Sequence, residues 1–226
     1  MTDQREQILW RDGGTPVSPR FDDPFFSLQN GLEETRHVFI AGNDLPGHFR
    51  PGFHIAELGF GTGLNFLAAL AAWRDGGTTG RLHFTSFEAF PMPADDMERA
   101  LLAFPEVAPL APPLVAAWRR GEFTLDTGDA HLEVITGDAR ETLVAWHGKA
   151  DAWFLDGFSP AKNPEMWDPT LMAQVAHHTA PGGSFATYTA AGFVRRALAE
   201  AGFDVTRIPG YGRKRHMTVG TLKART

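Results

Sequence analysis

Acidic residues stand at the ends of several short apolar runs, where a carboxylate can bind a polar ligand or move a proton. Asp156 follows the apolar run at 153–155 and opens the segment DGFSPAKNPEMW. Glu57, Glu88 and Asp138 stand at the ends of earlier apolar runs. Because the carboxyl ends of parallel strands meet at one edge of a sheet, we expect these carboxylates to line a common ligand site.

A glycine-rich turn follows Glu57, with glycines at Gly59, Gly61 and Gly63. Glycines allow a tight turn and a close approach of the backbone to a ligand. The dinucleotide fingerprint G-x-G-x-x-G would need a glycine where Leu64 stands. The Glu57 carboxylate would repel a pyrophosphate but tolerate an amine or a sulfonium. The turn therefore favours S-adenosylmethionine (SAM) over NAD; the alternative is a tight turn in another kind of α/β protein.

Two of the strand-end acids suit a nucleoside. Glu88 can accept hydrogen bonds from ribose hydroxyls, and Asp138 can accept one from an adenine amino group. Polar residues commonly end strands, so each residue alone is a weak signal. Their occurrence at successive strand ends supports cofactor binding by Glu57, the three glycines, Glu88 and Asp138.

Asp156 is the candidate catalytic residue. Methyl transfer from a sulfonium is an in-line displacement that needs a close, aligned nucleophile with a free lone pair. If the nucleophile is an amine, a carboxylate can orient it and take its proton. The residues Pro160, Lys162, Asn163 and Trp167 are candidates for the wall of the acceptor site. The alternative is that Asp156 caps a loop and that Trp167 belongs to the core.

These residues need an alternation of strands and helices to position them. Strands are predicted at 53–58, 81–90, 150–156 and 183–190, and helices at 64–73, 93–104 and 191–202. Residues 122–138 are predicted as a hairpin with its turn at 127–129. We expect Asn163 to cap a helix that begins at Pro164 and ends before the Pro-Gly-Gly at 181–183.

The alternation predicts an α/β fold with a doubly wound, mostly parallel sheet. Segments 203–209 and 215–222 are predicted to form an antiparallel strand pair at its C-terminal end. Residues 1–52 carry short strands, an aromatic loop and one helix, and we expect them to form a small N-terminal addition packed on the core at 53–226.

The composition is that of an ordinary globular protein of 226 residues with 43% hydrophobic residues. No cysteine is present, which excludes disulfides, thiolate metal sites and a cysteine nucleophile. The nine histidines show no metal-ligand grouping, so we expect no metal. The polar N-terminus is no signal peptide, and the longest apolar run, 66–73, is too short to cross a bilayer. We expect a soluble, cytoplasmic protein.

The net charge of −6 does not indicate a nucleic-acid binder. The C-terminal stretch is nevertheless basic, with Arg207, Arg213, Lys214, Arg215, Lys223 and Arg225. On charge alone, a solvated surface is the favoured interpretation of this cluster.

Longer segments of the sequence resemble a known family, the tRNA 5-methylaminomethyl-2-thiouridine methyltransferases. This family occurs as free-standing MnmD or as the N-terminal half of bifunctional MnmC. The matching segments run from about residue 21 to 220 and include GLEETRHVFIAGN, ELGFGTGLNF, FTSFEAFP, DGFSPAKNPEMW, AGFVRRALAEAGF and GYGRKRHM. DGFSPAKNPEMW and GYGRKR are specific, whereas ELGFGTG is shared by many SAM enzymes. His216 departs from the family, in which an acid follows GRKR.

The resemblance implies a class I, Rossmann-like SAM methyltransferase that acts on the wobble uridine of tRNA. Its expected reaction converts 5-aminomethyl-2-thiouridine to 5-methylaminomethyl-2-thiouridine, with Asp156 at the acceptor amine. The bifunctional proteins carry a C-terminal FAD-dependent oxidase. This chain has no second glycine-rich nucleotide motif, so we expect no FAD. We expect tRNA as the partner, with no membrane and no obligate protein partner.

A tRNA substrate changes the interpretation of the basic cluster. Expected phosphate contacts are Arg195, Arg196, Arg213, Lys214 and Arg215. Lys162 is expected to reach the anticodon loop. The aromatic residues Phe158, Trp167 and Tyr211 are candidates for stacking on splayed bases.

Other functions remain open at this point. The chain could be a SAM methyltransferase for a small-molecule amine or another base, or an aminopropyl transferase on the same fold. It could also be a catalytically silent nucleotide- or RNA-binding module. An NAD-binding oxidoreductase is disfavoured by Leu64 and Glu57.

Overall fold

A mixed sheet forms the centre of the computed structural model, which describes residues 8–11, 14–27 and 30–223. Within these residues the sheet has eight strands in the order β10-β11-β9-β8-β4-β5-β7-β6. The strands are β4 (His54–Leu58), β5 (Leu82–Glu88), β6 (Thr124–Asp126), β7 (Ala130–Thr136), β8 (Ala150–Leu155), β9 (Thr179–Thr187), β10 (Phe203–Pro209) and β11 (His216–Leu222).

The middle of the sheet is parallel, as predicted. β4 pairs in parallel with β5 and with β8, and the parallel pairing continues to β7 on one side and β9 on the other. β11 lies antiparallel between β9 and β10, which confirms the expected C-terminal pair. The chain runs outward from β4 in one direction and then, from β8, in the other. The point between β4 and β8 is therefore the topological switch point where such sheets bind ligands.

Helices cover both faces of this sheet. They are α2 (Leu64–Asp75), α3 (Ala94–Leu101), α4 (Ala111–Arg119), α5 (Ala139–Ala145), α6 (Pro169–His177) and α7 (Gly192–Glu200), with 3₁₀ turns at Ala108–Leu110 and Pro164–Trp167. Successive residues of β8 show the consequence of covering both faces. Phe154 packs in the core layer with α2 to α4, whereas Trp153 and Leu155 pack in the layer with α5 to α7. Because both faces of β8 are buried, its residues 152–155 form one continuous apolar run.

Several predicted elements match the structure, and two helices were missed. The hairpin pairs β6 with β7 around the turn at 127–129, as expected. α4 and α5 were not predicted. The α4 stretch carries two prolines in its first turn, where proline is tolerated, although prolines usually indicate a loop. α5 follows Asp138, which was assigned to the ligand site alone but also caps this helix.

The expected helix from Pro164 to the Pro-Gly-Gly at 181–183 was wrong. A 3₁₀ turn follows Asn163, whose side chain makes no capping hydrogen bond. The α-helix begins at Pro169, capped by Asp168, whose carboxylate accepts a hydrogen bond from Thr170 N. β9 then begins at Thr179, so 181–183 lie inside a strand whose pairing with β8 is irregular there.

The N-terminal segment packs against this core. Its described part has a small sheet, with β1 (Leu9–Arg11), β2 (Thr15–Ser18) and β3 (Asp23–Pro24). A helical stretch follows, which is an α-helix at Gly31–Thr35 (α1), a π-helix at Arg36–Ile40 and a 3₁₀ turn at Ala41–Asn43. The boundary of this addition at residue 52 remains a prediction.

Candidate active site

A cavity of about 1080 Å³ opens at the carboxyl edge of the sheet, across the switch point. The loops after β4, β5 and β7 contribute residues 59–62, 88–90 and 137–141 to its lining. The N-terminal segment, the loop after β8 and the β10–β11 loop contribute further lining residues. The volume lies at the upper end of the range typical of small-ligand sites, roughly 300–1,000 Å³.

The glycine-rich turn lies at the centre of this edge. Gly59 and Gly61 have φ values of +90° and +54° and line the cavity. A Cβ atom at residue 59 would lie 2.7 Å from the carbonyl oxygen of Asp156. Gly63 is the N-cap of α2 with φ +77° and lies outside the cavity lining. Glycine is thus needed at residue 59 for both its conformation and its close approach to the end of β8.

Asn65 lines the cavity and joins three segments of the chain through its side chain. Its Nδ2 donates to Asp156 Oδ2 over 2.7 Å and to Glu57 Oε1 over 2.8 Å. Its Oδ1 accepts a hydrogen bond from Thr35 Oγ1 over 2.8 Å. The sequence reasoning missed this residue. The signal available was a polar residue near the start of an otherwise apolar helix.

Glu57 lies in the core beneath the cavity instead of on its surface. It has no exposed surface, and it accepts hydrogen bonds from Asn65 and from Ser86 Oγ, the latter over 2.7 Å. Burial raises the pKa of Glu57 well above its usual value, and these two hydrogen bonds oppose the rise. Glu57 is linked to the cavity through its hydrogen bond with Asn65 and does not itself line the cavity.

Glu88 lies at the end of β5 and lines the cavity, as the sequence suggested. Its two carboxylate oxygens accept backbone hydrogen bonds from Gly61 N over 3.1 Å and from Phe90 N over 2.8 Å. Burial raises its pKa, and the backbone donors oppose the rise. These backbone donors fix the carboxylate in place at the cavity wall.

Asp138 also lines the cavity, but its carboxylate is already engaged. It caps α5 by accepting from Arg140 N over 2.8 Å, and it pairs with the Arg140 guanidinium over 2.5 Å. The Arg140 side chain lowers the pKa of Asp138. Arg140 lines the same cavity as Asp138 and Glu88.

Asp156 lies directly after β8, half-buried, in the wall of the cavity. Burial raises its pKa to about 7. The hydrogen bond from Asn65 opposes this rise, the nearby charge of Glu34 adds to it, and that of Lys214 reduces it. A carboxyl group with a pKa near neutrality exchanges protons readily at neutral pH.

Aromatic side chains surround the loop after Asp156. Phe158 stacks on Phe21 with 4.8 Å between ring centroids, and it meets the edge of Phe25 at 5.2 Å. All three residues line the cavity. The loop is tied to the N-terminal segment, because Ser159 N donates to Asp23 Oδ2 over 2.8 Å.

Three candidate residues of this loop lie in different environments. Lys162 donates to the carbonyl oxygen of Asp22 and does not line the cavity. Asn163 is buried and lines the cavity. Trp167 is 1% exposed, packs in the core and donates to Phe158 O over 2.9 Å. Trp167 therefore supports the aromatic loop from behind and offers no face for stacking.

The β10–β11 loop contributes Tyr211, Arg213 and Lys214 to the cavity wall. The Lys214 ammonium pairs with Glu34 Oε1 over 2.8 Å and lies 3.9 Å from the centroid of the Tyr188 ring. In this structure the Lys214 ammonium therefore lies at the cavity wall, and its expected contact with an RNA phosphate remains a prediction.

A basic cluster lies next to this loop and is defined here as Arg195, Arg207 and Arg215 around His216. Burial lowers the pKa of His216, and the charges of these arginines lower it further. Arg207 and His216 are diagonal neighbours across the β10–β11 pair, since Arg207 lies opposite Thr218 and His216 opposite Pro209. Arg196 is exposed on α7. None of these residues lines the cavity.

The described residues, 8–11, 14–27 and 30–223, limit two further findings. Within them no group of histidines and acids has the arrangement of a metal site. No helix in the same residues has the length and apolar character needed to cross a membrane.

Curated proteins are similar to this chain in sequence. The chain is 46% identical over 235 residues to the tRNA 5-methylaminomethyl-2-thiouridine biosynthesis bifunctional protein MnmC of Chromobacterium violaceum, covering 98% of this chain and 35% of that protein. It is also 46% identical over 231 residues to the protein of the same name from Ectopseudomonas mendocina, again covering 35% of it. This chain therefore spans about a third of the length of the curated relatives that it matches.

Solved structures show the same fold. MNMC2 from Aquifex aeolicus is similar with a TM-score of 0.75 and 27% identity, covering 97% of this chain and 71% of that chain. TrmN from Thermus thermophilus shares the fold alone, with a TM-score of 0.50 and 16% identity, covering 88% of this chain and 54% of that chain. A family model described as S-adenosyl-L-methionine-dependent methyltransferase matches residues 106–223. The chain belongs to this SAM-dependent methyltransferase family.

Proposed function

We propose that this protein methylates the primary amine of 5-aminomethyl-2-thiouridine at the wobble position of tRNA, producing 5-methylaminomethyl-2-thiouridine. The observation that carries the proposal is Asp156, a half-buried carboxyl group with a pKa of about 7 in an aromatic-lined cavity. The similarity to MnmC proteins over nearly the whole chain supports the choice of tRNA.

The residues of the cavity fit SAM. Gly59 and Gly61 line the cavity without a side chain, and backbone N–H groups hold the Glu88 carboxylate at the cavity wall, where it can meet ribose hydroxyls. When bound, SAM supplies an electrophilic methyl group on a positively charged sulfur. The Asp156 carboxylate lines the same cavity and, when ionised, favours a cation there.

Asp156 suits an acceptor that must lose a proton. An alkylamine is protonated at neutral pH, and its lone pair becomes available only after deprotonation. Asn65 holds Oδ2 of Asp156, which leaves Oδ1 to accept an N–H of the amine. With a pKa of about 7, the carboxylate can take the proton of the amine at neutral pH.

The surroundings of Asp156 suit a base taken out of an RNA loop. Single-stranded bases stack on aromatic side chains, and Phe21, Phe25 and Phe158 offer such faces in the cavity. The basic cluster beside the β10–β11 loop offers positive charge for phosphates. With tRNA as its substrate, the protein acts in the cytoplasm.

A single incubation tests the proposal. Purified protein is mixed with SAM and with tRNA from cells that lack this methyltransferase, and the tRNA is then digested to nucleosides for mass spectrometry. We expect 5-aminomethyl-2-thiouridine to gain one methyl group on nitrogen, and Asp156→Ala to abolish the gain. If wild-type protein binds SAM but leaves this nucleoside unchanged, the tRNA substrate is wrong and small-molecule amines become the acceptors to test.

A further inference from the structure

The ammonium group of Lys214 occupies a small subsite inside the cavity. One wall of this subsite is the Glu34 carboxylate, 2.8 Å from Nζ, and another is the face of the Tyr188 ring, 3.9 Å away. A carboxylate combined with an aromatic face is a common way to bind an ammonium group. We call this place the ammonium subsite.

Glu34 and Lys214, the two charged residues of the subsite, differ in how far their side chains are buried. The Glu34 side chain is only 12% exposed and lies on α1, next to Thr35, which is bonded to Asn65. The Lys214 side chain is 45% exposed and comes from the loop between β10 and β11. The acid is therefore fixed in the protein, whereas the base is supplied by a flexible side chain on a surface loop.

The subsite adjoins the proposed catalytic carboxylate. The charges of Glu34 and Lys214 both act on the pKa of Asp156. The Tyr188 hydroxyl donates to the carbonyl oxygen of Gly157 over 2.7 Å, which joins the ring to the residue after Asp156. A ligand amine held at this subsite would lie beside the group that takes its proton.

The lysine side chain ends in a primary alkylammonium, which is the same chemical group as the aminomethyl substituent of the proposed acceptor. We propose that Glu34 and the Tyr188 ring bind the acceptor's aminomethyl group, and that Lys214 fills their subsite until the acceptor replaces it. This inference rests on the proposed function. Exchange of one ammonium for another keeps Glu34 paired, which avoids the penalty of an unpaired buried carboxylate. The released Lys214 becomes free to meet an RNA phosphate.

Two tRNAs that differ only in the aminomethyl group test this inference. One carries 5-aminomethyl-2-thiouridine at the wobble position and the other carries 2-thiouridine. Their dissociation constants are measured with S-adenosylhomocysteine present, so that no turnover occurs. We expect wild-type protein to prefer the aminomethyl tRNA by about tenfold or more, the scale of one desolvated cation–aromatic contact.

The preference ratio separates recognition of the amine from general damage. We expect Glu34→Gln to reduce the ratio to about one and Tyr188→Leu to reduce it in part. Lys214→Met removes the competing ammonium, so the ratio should rise even where lost phosphate contact weakens both tRNAs. Glu106→Gln is the matched control, because this exposed acid pairs with Arg36 outside the cavity and should leave the ratio unchanged.

The competing role for the subsite is to hold the charged amino-acid end of the cofactor. In that case Glu34→Gln would weaken S-adenosylhomocysteine binding while the ratio persisted, and the inference would be overturned. If wild-type protein methylates the aminomethyl tRNA but shows a ratio near one, the proposed function stands and the subsite assignment fails. A Glu34-dependent preference without methylation would support the subsite and refute the proposed reaction.

Discussion

The side-chain amide of Asn65 donates a hydrogen bond to Asp156 over 2.7 Å and thereby holds one oxygen of the proposed catalytic carboxylate. The same amide nitrogen donates to Glu57, so that one residue fixes the geometry of both acids. A donor to a carboxylate stabilises its charged form and opposes the effect of burial on its pKa.

Replacing Asn65 should therefore change the pH dependence of methyl transfer. We expect Asn65→Ala to shift the acidic limb of the pH–rate profile upward by about one unit, because hydrogen bonds to charged groups contribute about 1.5–3 kcal/mol. Thr35→Val is the control, since it removes only the bond to Asn65 Oδ1. An unshifted limb in Asn65→Ala would show that this amide does not set the proton affinity of Asp156.

The raised pKa of Asp156 also predicts that this carboxyl lowers the free energy of unfolding while it supports catalysis. The folded protein retains a proton on this carboxyl up to about pH 7, whereas the unfolded chain loses it near pH 4. Folding is therefore penalised increasingly as pH rises through that window. We expect Asp156→Asn to raise the free energy of unfolding by roughly 1–3 kcal/mol at pH 8, less at pH 4.5, and to lower kcat at least about 100-fold.

Urea unfolding at both pH values measures this effect, and Asp129 provides a control of opposite sign. The Arg74 guanidinium lowers the pKa of Asp129 to about 2. Its contribution to stability is present above the unfolded pKa and is lost as pH falls toward 2, so Asp129→Asn should destabilise the protein at pH 8. Equal stability of wild type and Asp156→Asn at pH 8 would contradict the assigned pKa.

The turn at Gly59 predicts a steric effect on the cofactor site. Gly59→Ala would place a Cβ atom 2.7 Å from Asp156 O at a φ of +90°, so the end of β8 must move. Gly52→Ala is the matched control, since its φ is +75° but no atom lies within 4 Å of the added carbon. We expect Gly52→Ala to cost about 1–2 kcal/mol of stability, with normal SAM affinity. Gly59→Ala should cost more and should weaken SAM binding in calorimetry; equal behaviour of the two variants would contradict the close approach.

A row of histidines predicts acid sensitivity at the opposite end of the parallel strands. His54, His83 and His131 lie side by side in register on β4, β5 and β7. Burial, together with the charges of the two neighbours, lowers the pKa of His54 to about 4. The folded state therefore resists protonation, and its stability falls as pH drops from about 6.5 toward 4.

His54→Gln should remove part of this acid sensitivity. We expect the loss of unfolding free energy between pH 7 and pH 4.5 to shrink by about 1–2 kcal/mol in the variant. His48→Gln is the control, because His48 is exposed and lies outside the row. Parallel stability–pH curves for wild type and His54→Gln would count against a depressed pKa at His54.

The basic cluster predicts a salt-dependent part of RNA binding. Arg207→Gln together with Arg215→Gln should weaken tRNA affinity and reduce the slope of log affinity against log salt by about two. S-adenosylhomocysteine affinity should stay unchanged. Arg119→Gln with Arg120→Gln is the control, since these arginines pair with Asp95, Glu98 and Glu122. A salt slope that is the same in both double variants would place the RNA elsewhere.

Local patterns in the sequence were sufficient to predict the parallel core, the glycine turn and the position of Asp156. The central strands β4 and β8 are largely buried and apolar, and Asp156 directly follows β8. Helix starts were less certain, because Asn163-Pro164 and Asp168-Pro169 are both good local caps. Burial of Trp167 between them is a tertiary event, and the α-helix begins only after it.

Only the tertiary structure decided which residues form hydrogen bonds and ion pairs with one another in the cavity. Asn65 meets Thr35, Glu57 and Asp156 across separations of 30, 8 and 91 residues. Lys214, which charge alone assigned to a solvated surface, pairs with Glu34 and lies over the ring of Tyr188. The pattern of charges and apolar residues in a sequence describes residues that are close along the chain. The contacts in the cavity join distant segments, and they depend on which loops the strand order brings to the same edge of the sheet. A residue's partners at a switch point are therefore set by topology, and no local pattern carries that information.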